Sequence, residues 1–108
     1  MLTENNQQEQ QTQQVAAERI NHFAYILKGI GHSVRLQIIN ALSDGRERAV
    51  NELRDELKVE QTVLSHHLAK MRDLGLLTTQ RDGKKLYYKL KDDQIAYIID
   101  CMQKCDIV

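Results

Sequence analysis

The sequence predicts a mainly α-helical fold with one small β-hairpin, in the order three helices, a fourth helix, two strands and a last helix. Three observations predict it. Two short amphipathic segments, one bearing Leu53 and Leu57 and the next running from about Gln61 to Leu74, are separated only by a tight link at Val59. Two helices joined in this way are the helix-turn-helix unit. Two strand-like runs follow at once, joined by Asp82-Gly83, a strong hairpin signal. Finally, apolar residues recur at helical spacing at both ends of the chain. A helix-turn-helix followed by a hairpin is a winged helix-turn-helix, and 108 residues suit one such domain with one core.

Each element has its own justification. Residues 1–14 are dominated by Gln, Asn and Glu. Such a tract buries nothing and is expected as a disordered polar tail, or a frayed helical extension, ahead of a domain spanning 15–108. From Val15 the residues Ile20, Phe23, Leu27 and Ile30 mark a first helix, ended by Gly29 and Gly31. Ser33 is placed to cap a second helix bearing Val34, Ile38, Ile39 and Leu42, which Asp44-Gly45 stops. Asn51 is placed to cap the third helix, and Gly75 ends the fourth. The strand runs are Leu77–Arg81 and Lys84–Leu90, with Asp82-Gly83 expected in a type I′ turn, which needs positive φ. Leu86, Tyr88 and Leu90 alternate with Lys85, Tyr87 and Lys89, giving one apolar face and one basic, aromatic face. Asp92 or Asp93 caps the last helix, with Ile95, Ile98, Ile99, Met102 and Cys105 on one side.

The 15 basic and 15 acidic residues cancel. Zero net charge alone argues weakly against nucleic acid, because phosphate binding needs cations. Their distribution argues the other way. Segment 81–91 holds Arg81, Lys84, Lys85, Lys89 and Lys91 against only Asp82, whereas segment 47–60 holds Glu47, Glu52, Asp55, Glu56 and Glu60. No apolar run approaches the ~18 residues of a membrane span. The first residues lack the basic start and apolar stretch of a secretory signal, so a cytoplasmic protein without membrane partners is expected. Two cysteines make no disulfide framework, which fits a reducing compartment. Nothing points to an enzyme. There is no Gly-rich phosphate loop, and Ser65-His66-His67 are helix neighbours that face different directions.

At about 100° per residue, Leu64, Leu68 and Met71 share the core face of the fourth helix. Thr62, Ser65, His66 and Ala69 fall on the opposite side, flanked by Lys70 and Asp73. That face is short and polar, suited to base edges in a major groove of double-stranded DNA. Thr62 and Ser65 donate or accept, the Thr62 methyl suits thymine, and His66 can bond a base or a phosphate. Gln61 opens the helix, where free backbone N–H groups favour a phosphate. A solvated helix face has the same composition. The basic loop of Arg81, Lys84 and Lys85 immediately after the helix tips the balance, because the two parts together can clamp a duplex through phosphates or the minor groove. The competing reading is a winged helix that serves as a protein-protein interaction module. Neutral overall charge supports it, and the retained wing cations oppose it.

Three segments carry a family resemblance. LKGIGHSVRLQII, residues 27–39, resembles the LKALGHPTRLxIL stretch of the ArsR/SmtB family of bacterial metal- and redox-responsive repressors. QTVLSHHL, residues 61–68, is similar to that family's QSTVSHHL. Gly75-Leu76-Leu77 followed by RDGKKLYYKL, residues 81–90, resembles its GLV…RxGRxxYYxL wing. The resemblance covers about residues 20–105. It implies a repressor released by an inducer or by thiol chemistry, and a homodimer built from the first and last helices on a near-palindromic operator. The residues permit a dimer independently, because one small domain has little room to cover both terminal apolar stripes. A twofold dimer would set two recognition helices about one DNA turn, ~34 Å, apart.

The chain departs from the family at its metal positions. Ala49-Val50-Asn51 stand where metal sensors often carry Cys-x-Cys. Of the ligand positions on the family's last helix, Asp92 fits, but Gln94, Cys105 and Val108 occupy the others. No zinc site is therefore expected. Cys101 and Cys105 remain, at i and i+4. Their Cβ atoms would lie ~6 Å apart on a helix, too far for the ~3.8 Å of a disulfide without unwinding. Three roles stay open: small apolar packing residues, a thiol redox switch in which Cys105 can bond its symmetry mate, and a soft-metal or metalloid site. His22 and His32 are expected in surface or capping roles.

Overall fold

The computed structural model describes residues 2–105, with side chains from residue 14 onward; Val108, compared above with a ligand position, lies outside them. Five helices and three short strands follow in the order α1 (Leu2–Ile30), α2 (Ser33–Ala41), β1 (Arg48–Ala49), α3 (Val50–Leu57), α4 (Gln61–Asp73), β2 (Leu77–Asp82), β3 (Lys85–Leu90) and α5 (Gln94–Lys104). The fold is a winged helix-turn-helix. The polar tract, expected as a tail or a helical extension, takes the first half of α1. Its Gln and Glu residues favour helix, and no Gly or Pro interrupts the chain before Gly29.

The helix ends correct several expectations. His32, not Ser33, is the N-cap of α2: its Nδ1 accepts from the Val34 N–H at 3.2 Å. Ser33 is already helical and its hydroxyl accepts from Gln37 Nε2 at 3.1 Å. Asn51 does not cap α3 either. The N-cap is Ala49, whose N–H donates to Glu52 Oε1 at 3.3 Å, the return half of a capping box. α4 ends in a Schellman motif, with Gly75 at φ +80° and the Leu76 N–H bonded to the Met71 carbonyl at 3.0 Å. α5 begins with the Asp92 carboxylate accepting from the Gln94 N–H at 2.9 Å, and it stops at Lys104, leaving Cys105 as the C-cap.

The sheet holds one strand that periodicity could not reveal. β1 has two residues and pairs antiparallel with β3, Arg48 opposite Tyr88 and Ala49 opposite Tyr87, giving the order β1-β3-β2. Arg48 is fixed there by ion pairs with Asp44 (2.7 Å) and Glu56. The hairpin turn is shifted by one residue from the expected Asp82-Gly83. Asp82 and Lys85 form the last rung, so Gly83 and Lys84 are the central residues. Gly83 has φ +63° and Lys84 does not have positive φ. Positive φ at the first central residue alone is the type II′ pattern, not type I′.

The core lies between the helix-turn-helix and the sheet. Ile38, Ile39, Leu42, Leu53, Leu64, Leu68 and Met71 are fully buried, and Leu77, Tyr88 and Leu90 close it from the sheet side. Each such side chain contributes roughly 1.5–3 kcal/mol by leaving water. The two terminal helices are different. α1 buries Ile30 and half-buries Ile26, while Ile20, Phe23 and Leu27 on the adjoining arc are each more than half exposed. α5 leans Ile95, Ile98 and Ile99 on the core, buries no residue fully, and leaves Tyr97 and Met102 exposed. Among the described residues no helix is long and apolar enough to cross a membrane.

Candidate nucleic-acid interface

The core residues Leu64, Leu68 and Met71 fix the rotation of α4. With that side buried, Thr62 and His66 are exposed, while Ser65 and Ala69 are half-buried. The outward face is thus narrower than the sequence implied, and its freest side chains are Thr62 and His66. Val63, at 40% exposure, adds an apolar contact beside them. Gln61 stands at the first helical position, but its side chain is engaged: its Oε1 accepts from Arg54 Nη1 at 2.8 Å. Arg54 is thereby a cation at the mouth of the helix-turn-helix that sequence reasoning passed over. No side chain caps the first N–H groups of α4, so they are free to meet a phosphate.

Lys58 shapes the turn between α3 and α4. It is exposed and sits at φ 56°, ψ 45°, the left-handed region that usually selects glycine. A positive φ at a lysine leaves no mark in sequence periodicity. It turns the chain so that three residues separate the helices.

The wing follows α4 through Gly75, and β2 begins in the core at Leu77. Its cations do not share one face. Arg81 pairs with Leu86, whereas Lys85 pairs with Asp82, so alternation sends Arg81 and Lys85 to opposite faces of the hairpin, with Lys84 in the turn between them. All three are exposed at the tip. Lys89 joins Lys85 and Tyr87 on the outer face. None of Arg81, Lys84, Lys85 and Lys89 makes an ion pair with a described residue, whereas Arg48, Arg54, Arg72 and Lys104 all do. Arg19, Lys28, Arg46, Lys58, Lys70 and Lys91 are exposed without such a pair as well, so what sets the wing apart is that its unpaired cations are gathered at one hairpin, available together to an external polyanion.

Behind the outward face lies a polar cluster that helical spacing does not anticipate. His67 is buried at 7% exposure, and its Nδ1 accepts from Arg35 Nε at 3.1 Å. The same guanidinium donates through Nη1 to the Gly29 carbonyl at 2.7 Å. The His32 ring lies 4.3 Å from that of His67, centroid to centroid, and the His66 ring 5.9 Å away. Burial, with the charges of His32, Arg35 and His66, holds His67 below the ordinary imidazole value of 6.5. It is therefore neutral, with the proton on Nε2 and Nδ1 open as an acceptor.

Cys101 on α5 and Cys105 at its C-cap are both free and exposed, so packing inside their own subunit is not their role. Among the described residues, no three His, Cys, Asp or Glu side chains come together as a metal site.

The chain's likeness to known proteins agrees with this geometry. The profile described as bacterial regulatory protein, arsR family, matches residues 32–79. The chain is 33% identical over 85 residues to the biofilm growth-associated repressor of Agrobacterium fabrum, covering 79% of this chain and 72% of that one. It superposes on the transcriptional repressor BigR from Xylella fastidiosa with a TM-score of 0.75 at 29% identity, covering 86% and 96% of the two chains. A homodimeric winged helix-turn-helix DNA-binding domain from Mycobacterium bovis matches with a TM-score of 0.70 at 27% identity, over 82% and 81%.

Proposed function

This chain belongs to the arsR family of bacterial regulatory proteins, and on that premise we propose that it represses transcription as a homodimer bound to a near-palindromic operator. The observation that carries this reading is the sequence of two adjacent elements. An α4 face with Thr62 and His66 outward is followed directly by a wing whose cations have no described carboxylate partner. The helix supplies groups for base edges, and the wing supplies charge for phosphates. The dimer is supported by the uncovered apolar arc of α1 and by a groove of about 490 Å³ between α1 and α5, lined by Phe23, Ile26, Ile95 and Ile98 among others. A second copy would cover both.

The experiment is selection of duplexes from a random-sequence pool, followed by gel retardation of the winner. Enrichment of a sequence with an inverted repeat is expected. A protein that enriches nothing and shifts no duplex is instead a protein-interaction module. The same retardation tests release through the thiols, which stand exposed together at the end of α5. Peroxide, zinc or arsenite is expected to free DNA from the wild type but not from Cys101→Ser/Cys105→Ser. Identical release from both would leave the thiols without a regulatory role.

A further inference from the structure

We propose that Arg35 is a positioning residue for DNA binding: a strut that fixes the recognition helix α4, through His67, to the C-terminal end of α1. This rests on the DNA-binding reading above. One guanidinium spans the two elements, donating to the Gly29 carbonyl on α1 at 2.7 Å and to His67 Nδ1 on α4 at 3.1 Å. Its planar fork allows both bonds at once, which a lysine cannot reproduce. A second contact runs in parallel. Gly29 lies so close to the C-cap of α4 that a Cβ there would come within 2.4 Å of Leu74 Cδ1. α1 thus meets α4 at two points, one polar and one apolar.

The strut matters because α1 carries the apolar arc assigned to the partner. Two recognition helices must enter successive grooves together, so their separation is set by how each α4 is held to its own α1. The bond depends on a neutral His67. A proton on Nδ1 would turn the acceptor into a donor facing a cation. The charged or titratable groups that face His67 are His32 and Arg35 from the start of α2 and His66 from its own helix. Its folded-state value lies below 6.5, so the unfolded chain takes up the proton first. The strut is intact above 6.5 and is lost as pH falls through the folded value.

The test measures affinity for the pool-selected duplex from about pH 8 to about 5.5, together with thermal stability. Arg35→Ala and Arg35→Lys are expected to bind on the order of tenfold more weakly at pH 8. His67→Asn places Oδ1 where Nδ1 stands. It is expected to keep wild-type affinity at pH 8 and to lose less affinity than wild type as the pH falls. His66 and His32 are present in both proteins, so the difference between the two profiles belongs to His67. Superimposable pH profiles of wild type and His67→Asn would overturn the assignment, as would an Arg35→Ala that matches wild type on the selected duplex. A wild type that selects no duplex would overturn the DNA-binding reading along with it.

Discussion

The outward face of α4 is decided residue by residue. Helical spacing alone puts Thr62, Ser65, His66 and Ala69 opposite the core, and the structure keeps Thr62 and His66 exposed while drawing Ser65 and Ala69 partly in. Helical spacing treats a helix as having one buried side. Ser65 and Ala69 stand at the Leu68 edge of that side, whereas His67, at its other edge beside Met71, is covered by Arg35 and by the His32 ring at the start of α2, packing that belongs to tertiary structure rather than to spacing. Lys58 was equally hidden, because its left-handed φ arises where most chains place glycine. Thr62→Ala with His66→Ala is therefore expected to lower affinity for the selected duplex by roughly 1–3 kcal/mol for each base edge that is no longer bonded. Affinity for unselected duplex and the circular dichroism spectrum are expected to stay unchanged. An undiminished preference for the selected duplex would show that α4 does not read bases.

Among the elements, those with a long or regular apolar pattern were legible: the five helices, with α1 reaching back past Val15, the helix-turn-helix link and, to within one residue at the turn, both wing strands. The remainder failed for local reasons. β1 is two residues long, below the length at which alternation can be detected. The turn slipped by one residue because a single Gly serves either central position and cross-strand pairing decides between them. The caps moved because a histidine nitrogen and a backward-reaching Glu52 took roles expected of Ser33 and Asn51. The role proposed for the wing rests on charge rather than shape, since Lys84 and Lys85 sit exposed at its tip without ion pairs to described residues. Lys84→Ala with Lys85→Ala is expected to weaken binding to all duplexes alike. It should also flatten the slope of log affinity against log salt by about 0.9 for each phosphate left without its lysine. A changed sequence preference with an unaltered slope would mean that these lysines read bases.

At the scale of the whole molecule, the two terminal helices decide how DNA is met. One subunit leaves Ile20, Phe23 and Leu27 on α1 and Met102 on α5 in water, a pattern that a lone domain has no reason to keep. The sequence already showed both stripes, and what it could not show is that, among the described side chains of α1, those anchored to its own core are in the last turns, at Ile26 and Ile30. Anchored through its C-terminal turns and tied to α4 by Arg35, α1 relates a recognition helix already packed on its own core to a partner. Twofold symmetry then requires two α4 helices on one face of the duplex, a whole number of turns of about 10–10.5 base pairs apart. The most direct measurement is hydroxyl-radical and methylation footprinting of the complex with the pool-selected duplex. Two equivalent protected patches related by a dyad, on the same face of the DNA, are the predicted result. A single protected patch, or two on opposite faces, would contradict a twofold dimer reading DNA through α4.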